Sequence, residues 1–431
     1  MDDLWVVLPH IGAGGAQKVG LLAAEHFAAQ GFKVRVLSLR HGHPIKHAIP
    51  EGVELFDLGP DDDFSLHPWL QDGWNRSLIA RGRRFTIAQV LRLRRYVSRV
   101  GLLLIELTWP WCEHMVHPGS DSFVTQLLCW CMEGTGGLHY ERLRQLMQKE
   151  KPSRVLALLT KTNILCAAAV WDLPVHLVVS ERNDPRRQRL DHLWSHLRRI
   201  FYRRADVVTA NTEGVLEALQ AMGPWKCLDL LPNPLPCGLS VVEREEQTNQ
   251  RQREVLAVAR LVPQKGLDVL IRAFASLPPS VRDGWWVTLV GDGPERQALE
   301  ALASDVGLRE AIRFEGFRSD PLVFMRRASI FALPSRFEGM PNALLEAMAA
   351  GLPSVVSDAS PGPLEMVSDG RQGLVVPCDD VSAFAVALQR LMLDGDLRDQ
   401  YGDSARTTLR ALDWDVVEPH WRSVLALPVQ P

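Results

Sequence analysis

Leu4-Trp-Val-Val-Leu-Pro9 runs without polar interruption into His10-Ile-Gly-Ala-Gly14-Gly15-Ala-Gln17-Lys18-Val19, and this stretch decides the kind of fold the chain adopts. An unbroken apolar run of this length reads as a buried strand. The glycine-rich turn leads into a helix predicted to reach about Gln30, where Gly31 stops it, and Lys33 to Leu39 forms a second strand. Strand, glycine-rich turn, helix and strand make the opening unit of a doubly wound parallel α/β sheet, whose ligands lie beyond the carboxyl ends of the strands. Gly12, Gly14 and Gly15 allow close backbone approach to a phosphate or an acceptor. The dinucleotide spacing G-x-G-x-x-G is incomplete, because Gln17 stands three positions after Gly14, and this argues against NAD.

The rhythm continues outward. Ser153 to Leu159 and Val175 to Ser180 read as strands, the second ending in the charged cluster Ser180-Glu181-Arg-Asn-Asp-Pro185. Asp206 to Ala210 and Leu228 to Leu231 follow, and Pro232-Asn233-Pro234 closes this half. Glu243 to Glu254 is polar and highly charged, a linker by composition. A second strand-helix series begins at Val255-Leu-Ala-Val-Ala259, with Arg260 and Lys265 just past its first strand. Two cations at a strand-to-helix turn suit a pyrophosphate, since arginine grips phosphate oxygens as a fork and lysine adds a point charge. Strand Trp286 to Val290 then ends in the tight turn Gly291-Asp292-Gly-Pro294.

Ser335-Arg-Phe-Glu338-Gly339-Met340-Pro341-Asn342-Ala-Leu-Leu-Glu346-Ala-Met-Ala-Ala-Gly351 follows the apolar strand Ile330 to Leu333 and reads as loop and short helix. Glu338 falls in the loop and Glu346 more than one turn into the helix. Two carboxylates beside a helix N-terminus suit an elongated polar ligand, with free backbone N–H groups taking its anionic part and the carboxylates its hydroxyls. The spacing alone equally describes two solvated surface acids. The Ala- and Leu-rich helix argues against that, and Gly339 implies either an unusual backbone or a close approach.

At 431 residues the chain is too long for one ordinary core, and two domains are expected. A composition of 46% hydrophobic and 23% charged residues is that of a soluble globular protein, and a net charge of -3 gives no pull toward nucleic acid. Seven irregularly spaced cysteines, with no signal peptide in the opening residues, predict a reduced cytoplasmic protein. No apolar run approaches the roughly 18 to 20 residues of a spanning helix, so any membrane contact is expected to be peripheral, on the inner face.

Three regions keep two readings each. Asp61-Asp-Asp63 is a solvated turn or, less readily, a cation site. Between Gly73 and Ile105 there is no acid, but there are arginines at Arg76, Arg81, Arg83, Arg84, Arg92, Arg94, Arg95 and Arg99. A helix here gathers Val90, Leu93, Val97 and Val100 on one side, opposite Arg92, Arg95 and Arg99. Such a helix either packs its valines inward or lies on an anionic membrane, and residues 76–133 are the candidate contact. Residues of about 98–140, with Trp109, Trp111 and Trp130, interrupt the regular rhythm as an apolar insertion. Cys112, His114, His117, Cys129 and Cys131 within it match no standard zinc spacing, so buried cysteines are the safer account and no metal is expected.

Taken together, these motifs resemble the retaining glycosyltransferases of family 4 with the GT-B fold, two Rossmann-like doubly wound domains facing a central cleft. The resemblance covers nearly the whole chain apart from 98–140. It implies an acceptor-side domain over 1–237, a nucleotide-sugar domain over 238–412, and a tail over 413–431 whose helix returns to the first domain. Glu338 and Glu346 carry the family's Glu-x7-Glu motif, implying contact with the donor sugar and with the nucleotide ribose, respectively. Arg260 and Lys265 match the diphosphate-binding pair, completed by amides after Gly339 near Met340, Pro341 and Asn342. Gly14-Gly15-Ala16 matches the Gly-Gly-Ala-Glu turn, with Gln17 in place of glutamate. Asn233, Gly291 and Asp292 are counted with the donor-binding residues.

Many relatives carry a histidine after the fourth strand, whereas this chain has Thr160-Lys161-Thr162-Asn163, leaving Glu181 or Asn163 to face the reacting sugar. The resemblance implies transfer from a UDP- or GDP-linked sugar to a glycan or polyprenyl-diphosphate-linked acceptor in surface polysaccharide assembly. It implies neither a cofactor nor a metal. A catalytically degenerate scaffold subunit and a sugar-nucleotide epimerase are the competing readings.

Overall fold

The computed structural model describes residues 3–12, 14–40, 45, 47–58, 78–118, 122–188, 190–236 and 251–428. The first half builds strands β1 (Asp3–Leu8), β2 (Lys33–Ser38), β3 (Val53–Asp57), β4 (Arg154–Leu158), β5 (His176–Glu181), β6 (Val207–Ala210) and β7 (Leu228–Leu230). Its helices are α1 (Gly15–Ala29), α2 (Leu78–Leu107), α3 (Trp109–Cys112), α4 (Phe123–Glu150), α5 (Thr160–Ala169), α6 (His192–Phe201) and α7 (Glu213–Gln220). All seven strands run parallel in the order β3-β2-β1-β4-β5-β6-β7.

The second half builds strands β8 (Glu254–Val258), β9 (Trp286–Val290), β10 (Ile312–Gly316), β11 (Ile330–Leu333), β12 (Ser354–Ser357) and β13 (Gly373–Val376). Between and after them come α8 (Leu267–Ser276), α9 (Pro279–Arg282), α10 (Arg296–Asp305), α11 (Leu322–Arg327), α12 (Asn342–Ala349), α13 (Pro361–Met366), α14 (Val381–Leu393), α15 (Gly395–Leu409) and α16 (Trp414–Val424). The order is β10-β9-β8-β11-β12-β13, again all parallel.

The uninterrupted apolar strands follow from burial on both faces. In β1, Leu4, Val6 and Leu8 join the core that contains Phe27 of α1, while Trp5 and Val7 face the opposite core with Tyr140 and Met147 of α4. In β8 and β11, Val255 and Ile330 face one core and Leu256 and Phe331 the other. Each sheet reverses its winding where its first strand meets its fourth, between β1 and β4 and between β8 and β11. Open sheets bind ligands at those crevices. The segments after β1, β4, β8 and β11 are the ones whose motifs suggested a site.

The region around 98–140 differs from expectation. Leu102 to Ile105 belong to the last part of α2, and the helical pair α2 and α4 extends on both sides of that interval. The two helices close on each other where a Cβ on Gly101 would meet Cys131 Sγ at 2.6 Å and where Ser98 lies against Gly134. Cys112 and Cys131 are buried packing residues, and among the described residues no cluster of three His, Cys, Asp or Glu side chains could hold a metal ion. Asp61 to Asp63 and Arg76 lie outside the described residues.

Helix α16 packs on the first domain, with Trp414, Trp421 and Val424 in the same core as β1 and α1. His26 of α1 stacks on Trp414 at 3.8 Å between ring centroids and shares a 2.8 Å hydrogen bond with Glu418. Burial lowers the His26 pKa below its ordinary value of 6.5, against the opposing pull of Glu418. The unfolded chain therefore takes up a proton more readily, so His26 contributes its full stability above the unfolded pKa and loses it as pH falls through the folded one. The Tm difference between the wild type and His26→Gln is expected to be larger at about pH 7.5 than at about pH 5.5. A larger difference at the lower pH would mean that a charged His26–Glu418 pair dominates.

Candidate functional site

The site lies between the two crevices. After β8 the chain makes a short turn over Pro263–Lys265 and enters α8 through Gly266, at a left-handed φ of 59°. A Cβ there would collide with the Pro334 carbonyl, so glycine lets this turn close on the end of β11. That closure brings Lys265 Nζ to 2.5 Å from Glu338 Oε1, which also accepts from Ser335 Oγ at 2.7 Å. The Glu338 backbone N–H donates to Ser360 Oγ at 2.8 Å. Glu338 is 7% exposed, while Arg260 stands exposed beyond β8. Gly291 donates to the Gly316 carbonyl at 2.8 Å, and the Asp292 carbonyl accepts from Leu261 N–H at 3.0 Å. The turn after β9 thus supports the Arg260 segment, with the Asp292 carboxylate occupied on Gly293 N–H at 2.8 Å.

Gly339 meets the need for close approach. A Cβ would strike the Arg182 carbonyl of the first domain, and Gly362 packs just as closely on the Gly339 carbonyl. Pro341 then opens α12, whose N-terminus has no side-chain cap. Asn342 reaches across the cleft and donates to the Gly15 carbonyl at 2.8 Å. Asn233 donates to Asn342 Oδ1 at 2.5 Å and to the Met340 carbonyl at 3.1 Å, and it accepts from buried Arg182 at 2.8 Å. The glycine turn and the helix N-terminus therefore face each other directly. Gln17 folds back on Gly14 and is buried.

Glu346 lies one face further along α12, 4% exposed. Burial raises its pKa above the ordinary carboxylate value, and the cation opposing that rise is Lys18, at 2.7 Å from Oε1. Lys18 and Arg182 are residues of the candidate site that the sequence reading missed, whereas Asn233, which Arg182 bonds, was among those it named. The available signal for Lys18 was its place in the first turn of the helix after Gly14-Gly15.

Glu181 and Asn163 require a correction. Both are completely buried behind the cleft wall. Glu181 accepts from Tyr202 Oη at 2.5 Å, Thr160 Oγ1 at 2.9 Å and Gln188 Nε2 at 3.3 Å, with Arg198 at 3.9 Å. Asn163 donates to the same Tyr202 oxygen at 2.9 Å and to the Ser180 carbonyl at 3.0 Å. Burial raises the Glu181 pKa against Arg198 and these hydrogen bonds. They anchor the loop after β4, where Leu159 holds a φ of 77°, rather than facing a ligand.

Residues 242–408 match the family Glycosyl transferases group 1. Anabaena Alr3699/HepE, solved with UDP-glucose, superposes over 98% of this chain and 99% of its own at a TM-score of 0.70 and 17% identity, and the fold is accordingly GT-B. The chain is 33% identical over 211 residues, 48% of its length, to the lipopolysaccharide core biosynthesis glycosyltransferase LpsE of Rhizobium meliloti. It is 30% identical over 217 residues, 50% of its length, to an N-acetylgalactosaminyltransferase of Campylobacter jejuni that acts on a diphospho-undecaprenol-linked sugar. These matches span 60% and 58% of the two relatives' lengths.

Proposed function

We propose that the chain is a retaining, metal-independent glycosyltransferase. It moves a sugar from a nucleotide diphosphate to a glycan or polyprenyl-diphosphate-linked acceptor in bacterial surface polysaccharide assembly. The observation that carries this reading is the pairing of two buried carboxylates, Glu338 and Glu346, with Lys265 and Lys18 around the uncapped N-terminus of α12. Relatives named for lipopolysaccharide core and lipid-linked sugar transfer support the acceptor class.

In this mechanism the diphosphate lies along Lys265, Arg260 and the first N–H groups of α12. The bond from the anomeric carbon to the β-phosphate oxygen breaks, and negative charge grows on that oxygen, where the cations and the helix terminus stabilise it. The acceptor hydroxyl attacks the same face of the sugar, and its proton passes to the departing phosphate oxygen. Glu338 holds the sugar and Glu346 the ribose. When the ribose arrives, it takes over the Glu346 oxygen that Lys18 occupies here.

Thermal shift with nucleoside diphosphates tests donor binding. A ligand at about 100 times its Kd adds about 2.7 kcal/mol to the folded state, a Tm rise of several degrees. Either UDP or GDP is expected to give that rise in the wild type and to lose about half of it or more in Glu346→Gln. The absence of a shift with every nucleoside diphosphate would overturn the proposal.

A further inference from the structure

Arg182, just past β5, is a buried cation, 5% exposed, and among the described residues no carboxylate lies against it. Burial lowers its pKa to about 9, and the guanidinium keeps its charge at neutral pH. Nε and Nη2 bond no group among the described residues, and the guanidinium carbon stands 5.7 Å from the ring centroid of Trp421. Nη1 donates to the Leu231 carbonyl at 2.9 Å and to Asn233 Oδ1 at 2.8 Å. A cation held in this way stabilises the fold poorly, since an apolar side chain of similar volume avoids the desolvation cost. Its hydrogen bonds therefore call for another account.

Arginine donates and never accepts, so the chain of bonds that starts at Arg182 runs in one direction only. Asn233 must turn its oxygen to Arg182, which leaves Nδ2 for Asn342 Oδ1 at 2.5 Å and for the Met340 carbonyl at 3.1 Å. Asn342, its oxygen taken, has only Nδ2 to offer the Gly15 carbonyl, at 2.8 Å. Reversing either amide would set acceptor against acceptor or donor against donor. The backbone of Arg182 serves the same place, because its carbonyl is what a Cβ on Gly339 would strike, at 2.3 Å. We infer that Arg182 is a positioning residue for the diphosphate site: it orients Asn233 and Asn342 and so holds the uncapped N-terminus of α12 against the glycine turn. It acts through the two amides rather than on the ligand. The inference rests on the donor reading of that site.

Calorimetric titration of UDP and of GDP into the full chain tests the inference. Asn342→Ala and Arg182→Met are each expected to weaken binding about 10-fold, the scale of one charge-assisted hydrogen bond. Combined, they should still weaken it only about 10-fold, because either change alone cuts the same chain. Arg182→Lys remains a cation that only donates and should stay within about threefold of the wild type. Asn233→Asp keeps the shape and gives Arg182 a carboxylate, so Tm should hold or rise. Its carboxylate has no N–H for Asn342, so binding should still fall about 10-fold, and this variant decides the matter if Arg182→Met does not fold. An additive loss of about 100-fold in the double variant, wild-type affinity in Asn233→Asp, or Arg182→Lys as weak as Arg182→Met would overturn the inference. A wild type that binds neither UDP nor GDP would instead overturn the donor reading, and this inference with it.

Discussion

Lys265→Ala is expected to lower the turnover of sugar transfer about 100- to 1,000-fold, the scale found when one preorganised donor to a developing oxyanion is removed. Lys265 is 15% exposed at its side chain and is fixed by Glu338 at 2.5 Å, so its ammonium is aimed before any ligand arrives. Water cannot replace it at comparable strength, because the site around Glu338 is largely closed to solvent. The fold should survive. Lys265 ends a surface turn, and Ser335 remains to bond Glu338 at 2.7 Å. Lys265→Arg keeps the charge but replaces a compact ammonium with a planar fork and is expected to recover only part of the rate. Unchanged turnover in Lys265→Ala, with a wild-type Tm, would remove this residue from the chemistry.

The two carboxylates should separate by kinetic parameter. Glu346→Gln is expected to raise the donor KM about 10- to 100-fold, the range of one charge-assisted hydrogen bond, with a smaller change in kcat. Glu338→Gln should lower kcat predominantly, since its partner Lys265 is the cation that the proposed mechanism sets against the departing diphosphate. Binding should also depend on pH in a definite direction. The raised Glu346 pKa means that the carboxylate takes up a proton at a higher pH than an exposed glutamate, so donor affinity falls as pH drops through that value. Lys18 opposes the rise, so in Lys18→Ala the loss of affinity should begin at higher pH. An unshifted profile in Lys18→Ala, or equal KM effects from both glutamate variants, would contradict the assignment of roles.

The parallel order of both sheets follows from apolar runs such as Leu4 to Leu8 and Val255 to Ala257, because a strand buried on both faces leaves no polar alternation to misread. The C-terminal wall of the site was legible for a similar reason. Glu338, Gly339 and Glu346 lie in one local stretch, and their positions relative to α12 follow from helix periodicity. Lys18 and the Asn233–Asn342–Gly15 bridge were not legible, since they arise only when two domains meet. Glu181 looked available at a strand end, yet Tyr202, from the turn after α6, covers it. In α2 the period was read correctly, but a wheel does not say which row points inward. Ser98 and Leu102 took that role because Gly101 and Gly134 let the backbones of α2 and α4 come together.

The most direct test measures release of free nucleoside diphosphate from a nucleotide sugar with purified full-length protein, in the presence and absence of a polyprenyl-diphosphate-linked sugar acceptor. The wild type should release nucleoside diphosphate in step with glycosylated acceptor, with and without added Mg²⁺, and Lys265→Ala should fall to a small fraction of that rate. A donor that is bound and isomerised with no acceptor-dependent release, or bound with no turnover under any acceptor, would contradict the transfer mechanism.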